Sequence, residues 1–333
     1  MHIRPIEFDD DATLRQMYDV VTASRAHERP HFVPSSADAV IADLRHDDPG
    51  ETVLAWGLWE GNVLAGVTTA CLTLNDNRDI MWVEVDVDPG HRRRGLGRAA
   101  VEHLVAFARE QGRTRLLTDA RYPADRADGH PYLRFAESCG FRLAQTEIMR
   151  KLDLPVDTAL LAEIADEARA AYEPHYRVEA YAVVPEGLRA SLCDCMNRVG
   201  TDAPTGEIDV EPESMDPERY AGWLTVDAEG GRARLTSLAI EQASGDVVAY
   251  TELALPAGNS RVHQWGTLVQ REHRGHRLGL AVKAANLLAL QADHPDRLDV
   301  ITGNAHDNPW MVSINERLGF RPLELNAAFH RAV

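Results

Sequence analysis

The sequence predicts an α/β fold built as two tandem copies of one mixed-sheet domain, and three observations carry that prediction. A length of 333 residues matches two domains at about 100–200 residues each. Strand-like alternation and helix-like 3.6-residue periodicity follow one another along the whole chain. Finally, His91-Arg92-Arg93-Arg94-Gly95-Leu96-Gly97 aligns without gaps to His273-Arg274-Gly275-His276-Arg277-Leu278-Gly279, 182 positions on, and Gly140-Phe141-Arg142 returns as Gly319-Phe320-Arg321, 179 positions on. Two landmarks in the same order at nearly the same offset mark a duplication.

In the first copy, expected over residues 1–155, a strand is predicted at 2–8, helices at 11–27 and 36–46, and strands at 51–60, 63–74 and 80–88. Along the last of these, Val83, Val85 and Val87 alternate with Glu84, Asp86 and Asp88, which puts three carboxylates on one face. Pro89-Gly90 ends the strand. A helix follows from about Arg94 to Gln111, with Leu96, Ala100, Leu104 and Phe107 near a 3.6 period and Gly112 as its stop. A strand at 114–120, a helix at 131–139 stopped by Gly140 and a strand at 141–152 complete the copy. Leu160, Leu161, Ile164 and Ala168 at helical spacing predict an amphipathic linker helix within 156–175. The second copy, 176–333, repeats the order: strand 176–183, helices from Pro185 and Pro217, strands 232–241, 246–255 and 262–270, helix 276–292, strand 298–303 and helix 309–318.

Charge narrows the function. The chain carries 35 basic and 52 acidic residues, a net −17, and neither half has the basic footprint of a nucleic-acid binder. No stretch approaches the roughly 20 apolar residues that span a bilayer, and the acidic N-terminus is unlike a signal peptide, so a cytoplasmic location is expected. Four scattered cysteines read as buried thiols rather than a disulfide framework, and the lone Cys193-x-Cys195 does not make a metal site. An acidic field favours cationic partners.

Against that background Arg92, Arg93 and Arg94 form a local basic knot. A turn rich in Arg and Gly leads from a strand straight into a helix, so unpaired N–H groups of the first helical turn converge on one spot. Gly95 and Gly97 leave room for a pyrophosphate. The spacing is neither the Rossmann nor the Walker pattern.

On these residues the chain resembles the GNAT superfamily of N-acetyltransferases. Arg92-x-x-Gly95-x-Gly97, preceded by Val85-x-Val87-x-Pro89, is similar to the family's Arg/Gln-x-x-Gly-x-Gly/Ala signature. Phe135-Ala136-Glu137-Ser138-Cys139-Gly140-Phe141 is similar to its terminal helix and Leu-Gly-Phe ending, with Cys139 in the Leu place. The second copy offers Arg274-Gly275-His276-Arg277-Leu278-Gly279, Asn304, and Asn308-x-x-Met311-x-x-x-Asn315-Glu316-Arg317-Leu318-Gly319-Phe320. Covering nearly the whole chain, the resemblance implies two tandem acyl-CoA N-acyltransferase domains with acetyl-CoA along the splayed fourth strand. It implies backbone contacts near Val85 and Val87 for the pantetheine, and Arg92, Arg93, Arg94, Gly95, Leu96, Gly97 and Arg98 around the pyrophosphate. Leu268, Val269, Arg274, Gly275, His276, Arg277, Leu278 and Gly279 hold the matching places in the second copy, with Asn304, Asn308 and Asn315 toward the pantetheine. Arg277 stands where Gly95 does, and its side chain either crowds the pyrophosphate or points outward. Asn308, before Pro309, fits a helix cap equally well.

The same resemblance implies direct attack of a primary amine on the thioester in a ternary complex. Such an amine needs a base or a water chain to take its proton. Glu84 and Asp86 are the candidates in the first copy and Glu252, on the strand before the matching one, in the second. The tyrosine with which many family members protonate the departing thiolate is replaced by Ala136 and Asn315, and Tyr132 lies one turn upstream. The expected acceptor is a small cationic amine, met by a monomer or homodimer with no nucleic-acid or membrane partner. A silent acyl-CoA-binding protein and a protein N-acetyltransferase are the competing readings.

Overall fold

Apolar alternation over the first 87 residues folds as four antiparallel strands in the computed structural model, which describes residues 1–126, 129–202, 206, 208–305 and 307–333. These are β1 (His2–Pro5), β2 (Glu51–Glu60), β3 (Val63–Thr73) and β4 (Ile80–Val87). Helices α1 (Asp11–Ala26) and α2 (Ala37–Arg45) join β1 to β2. Asp10 caps α1 by accepting from Ala12 N at 3.0 Å and Thr13 N at 3.2 Å, and Ser36 caps α2 through Ala39 N, as short polar side chains do at helix starts. Leu14, Met17, Val20 and Ile41 lay these helices on Ala55, Leu64 and Val67 of one sheet face.

Helix α3 (Leu96–Glu110) covers the other face. Its Val101, Leu104, Val105 and Ala108 pack on Met81, Val83 and Leu116. Strand β5 (Arg115–Pro123) returns parallel to β4, but the two are paired at three positions, Ile80–Arg115, Met81–Leu116 and Trp82–Leu117. Past Trp82 they part. Helix α4 (Pro131–Ser138) and strand β6 (Arg142–Asp153) follow.

The remaining elements repeat the plan: α5 (Thr158–Tyr172), β7 (Tyr176–Tyr181), α6 (Glu186–Met196), α7 (Val199–Asp202), α8 (Pro217–Glu229), β8 (Ala233–Glu241), β9 (Val247–Leu255), β10 (Arg261–Val269), α9 (Leu278–Asp293), β11 (Asp299–Ala305), α10 (Pro309–Arg317) and β12 (Arg321–Ala332). Parallel β10 and β11 again pair at three positions, Arg261–Asp299, Val262–Val300 and His263–Ile301, and then part. A bulge between Gln264 and Thr267 bends β10 just beyond that point.

Two compact units result, and they interleave in sequence. The first holds Met1–Glu147, Gly206–Asp209 and Glu324–Val333, the second Ile148–Thr205 and Val210–Leu323. Within the first, the strand order is β1-β2-β3-β4-β5-β12, and within the second β6-β11-β10-β9-β8-β7. Simple boundaries at 155 and 176 therefore do not describe the compact units. The reading from sequence closed the first copy with 141–152 and stopped at 318; the strand beside β5 is β12, paired antiparallel from Glu324–Pro123 to Ala332–Arg115. The physical reason is that β6 and β12 descend from the same duplicated strand, each entered through Gly-Phe-Arg, so either can satisfy the same slot. Helix α5 is likewise no spacer. Leu161 and Ile164 lie in one core of the second unit, and Ala168 and Tyr172 in another. Among the described residues no helix is long and apolar enough to cross a membrane.

Phe329, on β12, is buried with Met81, Leu104 and Leu116 in the first unit's core. Phe329→Ala should cost about 3–5 kcal/mol and, in hydrogen exchange, expose the amides of β4 and β5, which are far away in sequence. Loss of protection confined to residues 148–323 would refute the strand exchange.

Candidate functional site

In each unit the chain turns from the free end of the splayed strand into a helix through a loop of one shape. In the first, Asp88 accepts from Gly90 N at 2.8 Å and closes a single 3-10 turn at Pro89–His91. Arg93 has φ +65° and Gly95 φ +87°, both left-handed, and α3 begins with no side-chain cap. In the second, the left-handed residues are Gly275 at +90° and Arg277 at +56°, and α9 also begins without a side-chain cap. The two glycines have exchanged places, but the backbone has not changed hands at either position. Uncapped helix N-termini present N–H groups and the positive end of the helix dipole, the requirement for an anion. A Cβ on Gly95 or on Gly275 would meet nothing within 4 Å.

Arg277 resolves the question its position raised. Its guanidinium is ion-paired with Glu167 on α5, which Arg317 shares. Packing restricts Gly97, because a Cβ there would lie 2.9 Å from Phe135 Cζ; Gly279 similarly faces Ile314. The side chains of Leu96 and Leu278 are buried, so these residues can offer a ligand their main chain alone.

The arginine knot is mostly internal. Arg92 donates to Val87 O at 3.1 Å, Tyr132 Oη at 3.2 Å and Ser24 O at 3.0 Å. Arg274 repeats the first of these bonds to Val269 O at 3.2 Å and adds Asp202. These two residues, expected on the pyrophosphate, latch the loop to the end of its strand. Arg94 reaches Glu60 and Gly90 O, and Arg98 reaches Ser138. Arg93 is exposed and has no side-chain partner among the described residues. His91, with Arg94, holds the Glu60 carboxyl below its usual range.

The expected bases are all engaged. Arg25, near the end of α1, is ion-paired with Glu84 and lies 3.0 Å from Asp86 Oδ2. Burial opposes the Arg25 charge, but the two carboxylates outweigh it and hold the guanidinium above its ordinary range. Glu252 is buried, paired with Arg234, and accepts from Thr236 Oγ1 at 3.2 Å; burial raises its carboxyl against the pull of Arg234. Where Glu84 stands in the first unit, the second has Gly266, and the space a Cβ would need there is taken by Tyr250 Oη. Arg25 and Tyr250 carry no motif, and sequence reasoning missed both.

The asparagines of the second unit divide. Asn308 caps α10 through Met311 N at 3.2 Å. Asn315 is buried, accepts from Lys283 Nζ at 2.7 Å and donates to Asn304 Oδ1. Burial, reinforced by the Arg150 charge, pushes the Lys283 amine down to about 7. A signal for Lys283 existed in the sequence: it is one of two lysines in the chain and interrupts an otherwise apolar run.

Residues 16–141 match the model of the acetyltransferase (GNAT) family. The chain is 27% identical over 254 residues to mycothiol acetyltransferase of Clavibacter sepedonicus, covering 75% of this chain and 72% of that protein. Among solved structures it is similar to a tandem GNAT protein from the clavulanic acid biosynthesis pathway, with TM-score 0.79, 25% identity, and 99% and 98% of the two chains covered. A GCN5-related N-acetyltransferase from Sphaerobacter thermophilus shares the fold at TM-score 0.65 and 15% identity, over 99% and 95% of the chains.

A buried lysine whose amine is depressed costs stability at low pH, since the folded state must hold a desolvated charge below about 7 and sheds it above. Lys283→Met should therefore raise the urea midpoint most below pH 7. The gain should shrink as pH rises toward 10.5, the ordinary value; a pH-independent difference would contradict the assignment.

Proposed function

Taking the chain as a tandem GNAT N-acetyltransferase, we propose that it moves the acetyl group of acetyl-CoA onto the primary amine of a small cationic molecule by direct attack, with both reactants bound together. The observation that carries this reading is the splayed parallel pair ending in an uncapped helix. Past Trp82 the edge of β4 that faced β5 has lost its ladder partner, and an extended amide-bearing arm such as pantetheine supplies alternating donors and acceptors for such an edge. At its end the bare first turn of α3 and the exposed, unpartnered Arg93 suit a pyrophosphate. The net charge of −17 favours a cationic acceptor over an acidic one.

In the first unit Arg25 already neutralises Glu84 and Asp86, which favours a cofactor-holding role there over deprotonation of an amine. The amine proton then leaves through water. A thiolate leaving group of pKa about 8.5 needs little acid help, so the lack of a tyrosine at Ala136 and Asn315 is compatible with turnover.

Arg93→Glu should weaken acetyl-CoA binding to the first unit at least about tenfold, because it replaces attraction by repulsion at a phosphate; calorimetry giving unchanged affinity and stoichiometry would remove that site. Thiol release with a panel of diamines, amino sugars and amino acids tests the reaction and its acceptor class. Turnover confined to acidic or protein acceptors would overturn the cationic assignment. Glu84→Gln should leave the pH profile of turnover unaltered, whereas a neutral-pH loss that recovers in alkali would make Glu84 the base.

A further inference from the structure

The second unit buries a polar, positively charged layer where the first buries an apolar one. Lys283 aligns with Val101 at the 182-residue offset, and Asn315 and Arg150 align with Ala136 and Phe329 at the 179-residue offset. Val101, Ala136 and Phe329 belong to a single hydrophobic core. Lys283, Arg150 and Asn315 are 1%, 3% and 0% exposed. Burying two cations is costly unless anions or hydrogen bonds compensate them, and neither has an ion pair among the described residues. Arg150 donates from Nη1 to Ile148 O at 3.3 Å, and its buried Nε has no partner. The charged groups facing the pair are few: Arg150 itself, from β6, acts on Lys283, and exposed Glu316, from α10, acts on Arg150.

The hydrogen bonds among these residues have a fixed direction. A lysine ammonium donates and cannot accept, so its 2.7 Å bond must end on the Asn315 oxygen. That orients the Asn315 amide nitrogen toward the Asn304 oxygen, and Asn304 Nδ2 is left without a partner among the described residues. Asn304 is half-buried and lies on β11, three residues beyond Ile301, the last residue paired with β10. One end of the chain of bonds is a buried positive charge. The other is an open donor on the stretch of β11 that has parted from β10.

We propose that Lys283, acting through Asn315 and Asn304, is a positioning residue that stabilises negative charge on the CoA sulfur as the acetyl group departs, which assigns the transfer step to the second unit. This rests on the acetyl-CoA reading given above. In the step, the amine nitrogen's lone pair forms the bond to the acetyl carbon, the carbon–sulfur bond breaks, and its electron pair stays on sulfur. The amine loses its proton to water, and the thiolate later takes one from water. A preorganised donor backed by a buried cation acts where that charge appears. Because burial brings the Lys283 amine to about 7, the charge is present below that pH and fades above it.

CoA itself is the probe, titrated by thiolate absorbance on Arg93→Glu protein at a concentration that leaves the weakened first unit largely empty. At the same pH, bound CoA should hold about tenfold more thiolate than free CoA, with the excess confined to pH values below about 7, where Lys283 is charged, and Lys283→Met and Asn304→Ala should each abolish the difference. The urea midpoint shows whether each variant is folded, and Asn304→Ala, on a half-buried strand position, leaves Lys283 in place. A shift that survives either substitution overturns the inference, as does a titration equal to that of free CoA in the Arg93→Glu parent. CoA bound by the wild type but not by Arg93→Glu protein overturns it while leaving the proposed function standing; no CoA binding by the wild type removes both.

Discussion

Two parallel strands that part after three residue pairs are the constraint on which the rest of the molecule depends. Backbone N–H and C=O groups that leave a ladder need new partners or water, and in each unit the elements around the gap respond to that need. In the first, Thr68 Oγ1 on β3 donates to Glu84 O at 2.7 Å, which adds to the β3–β4 ladder, and Arg92 takes Val87 O at 3.1 Å. In the second, the bulge at Gln264–Thr267 bends β10, and Arg274 latches Val269 O. A gap of this kind leaves strand-edge groups that an extended polar ligand could pair with.

The loop at the mouth of the gap shows what is invariant when a domain is duplicated. A non-glycine residue in the left-handed region costs about 1–2 kcal/mol, and each loop carries one such residue, Arg93 in the first and Arg277 in the second. The strained total is the same although the glycine has moved by two positions. Conformation, not the identity of the residue at one position, is what the helix N-terminus requires. The Arg277 side chain is removed from the mouth by Glu167, and α5, which supplies that glutamate, is thereby tied to the loop as well as to the core.

Much of this was legible in the sequence. Periodicity located all but one of the strands, because alternation and turn residues are local signals; the duplicated Arg-Gly segments located both loops. The partner of β5 was not legible. Strand pairing is a long-range choice between β6 and β12, and two strands of common descent offer identical local signals for it. Site chemistry was legible by residue type but not by state. Glu84, Asp86 and Glu252 are where a base was expected, yet nothing local to them announces Arg25 or Arg234, which reach them from 59 and 18 residues away. Likewise Arg92 has the composition of a phosphate ligand and the bonds of a strand latch.

Divergence between the copies then has a direction that free energy can assign. The first unit has an apolar layer at Val101, Ala136 and Phe329 and neutralises its acidic strand with Arg25; both features stabilise the fold and subtract reactive groups. The second keeps Lys283 and Arg150 buried, with no carboxylate ion-paired to either among the described residues, an arrangement that Val or Phe at the same places would relieve. Stability alone selects for the apolar version, since large apolar side chains were accommodated at equivalent positions of the same fold. That buried charge is linked through Asn315 to Asn304, on the part of β11 that has left its ladder with β10, and packing stability does not account for it. The copy that gave up stability is the one in which chemistry should be sought.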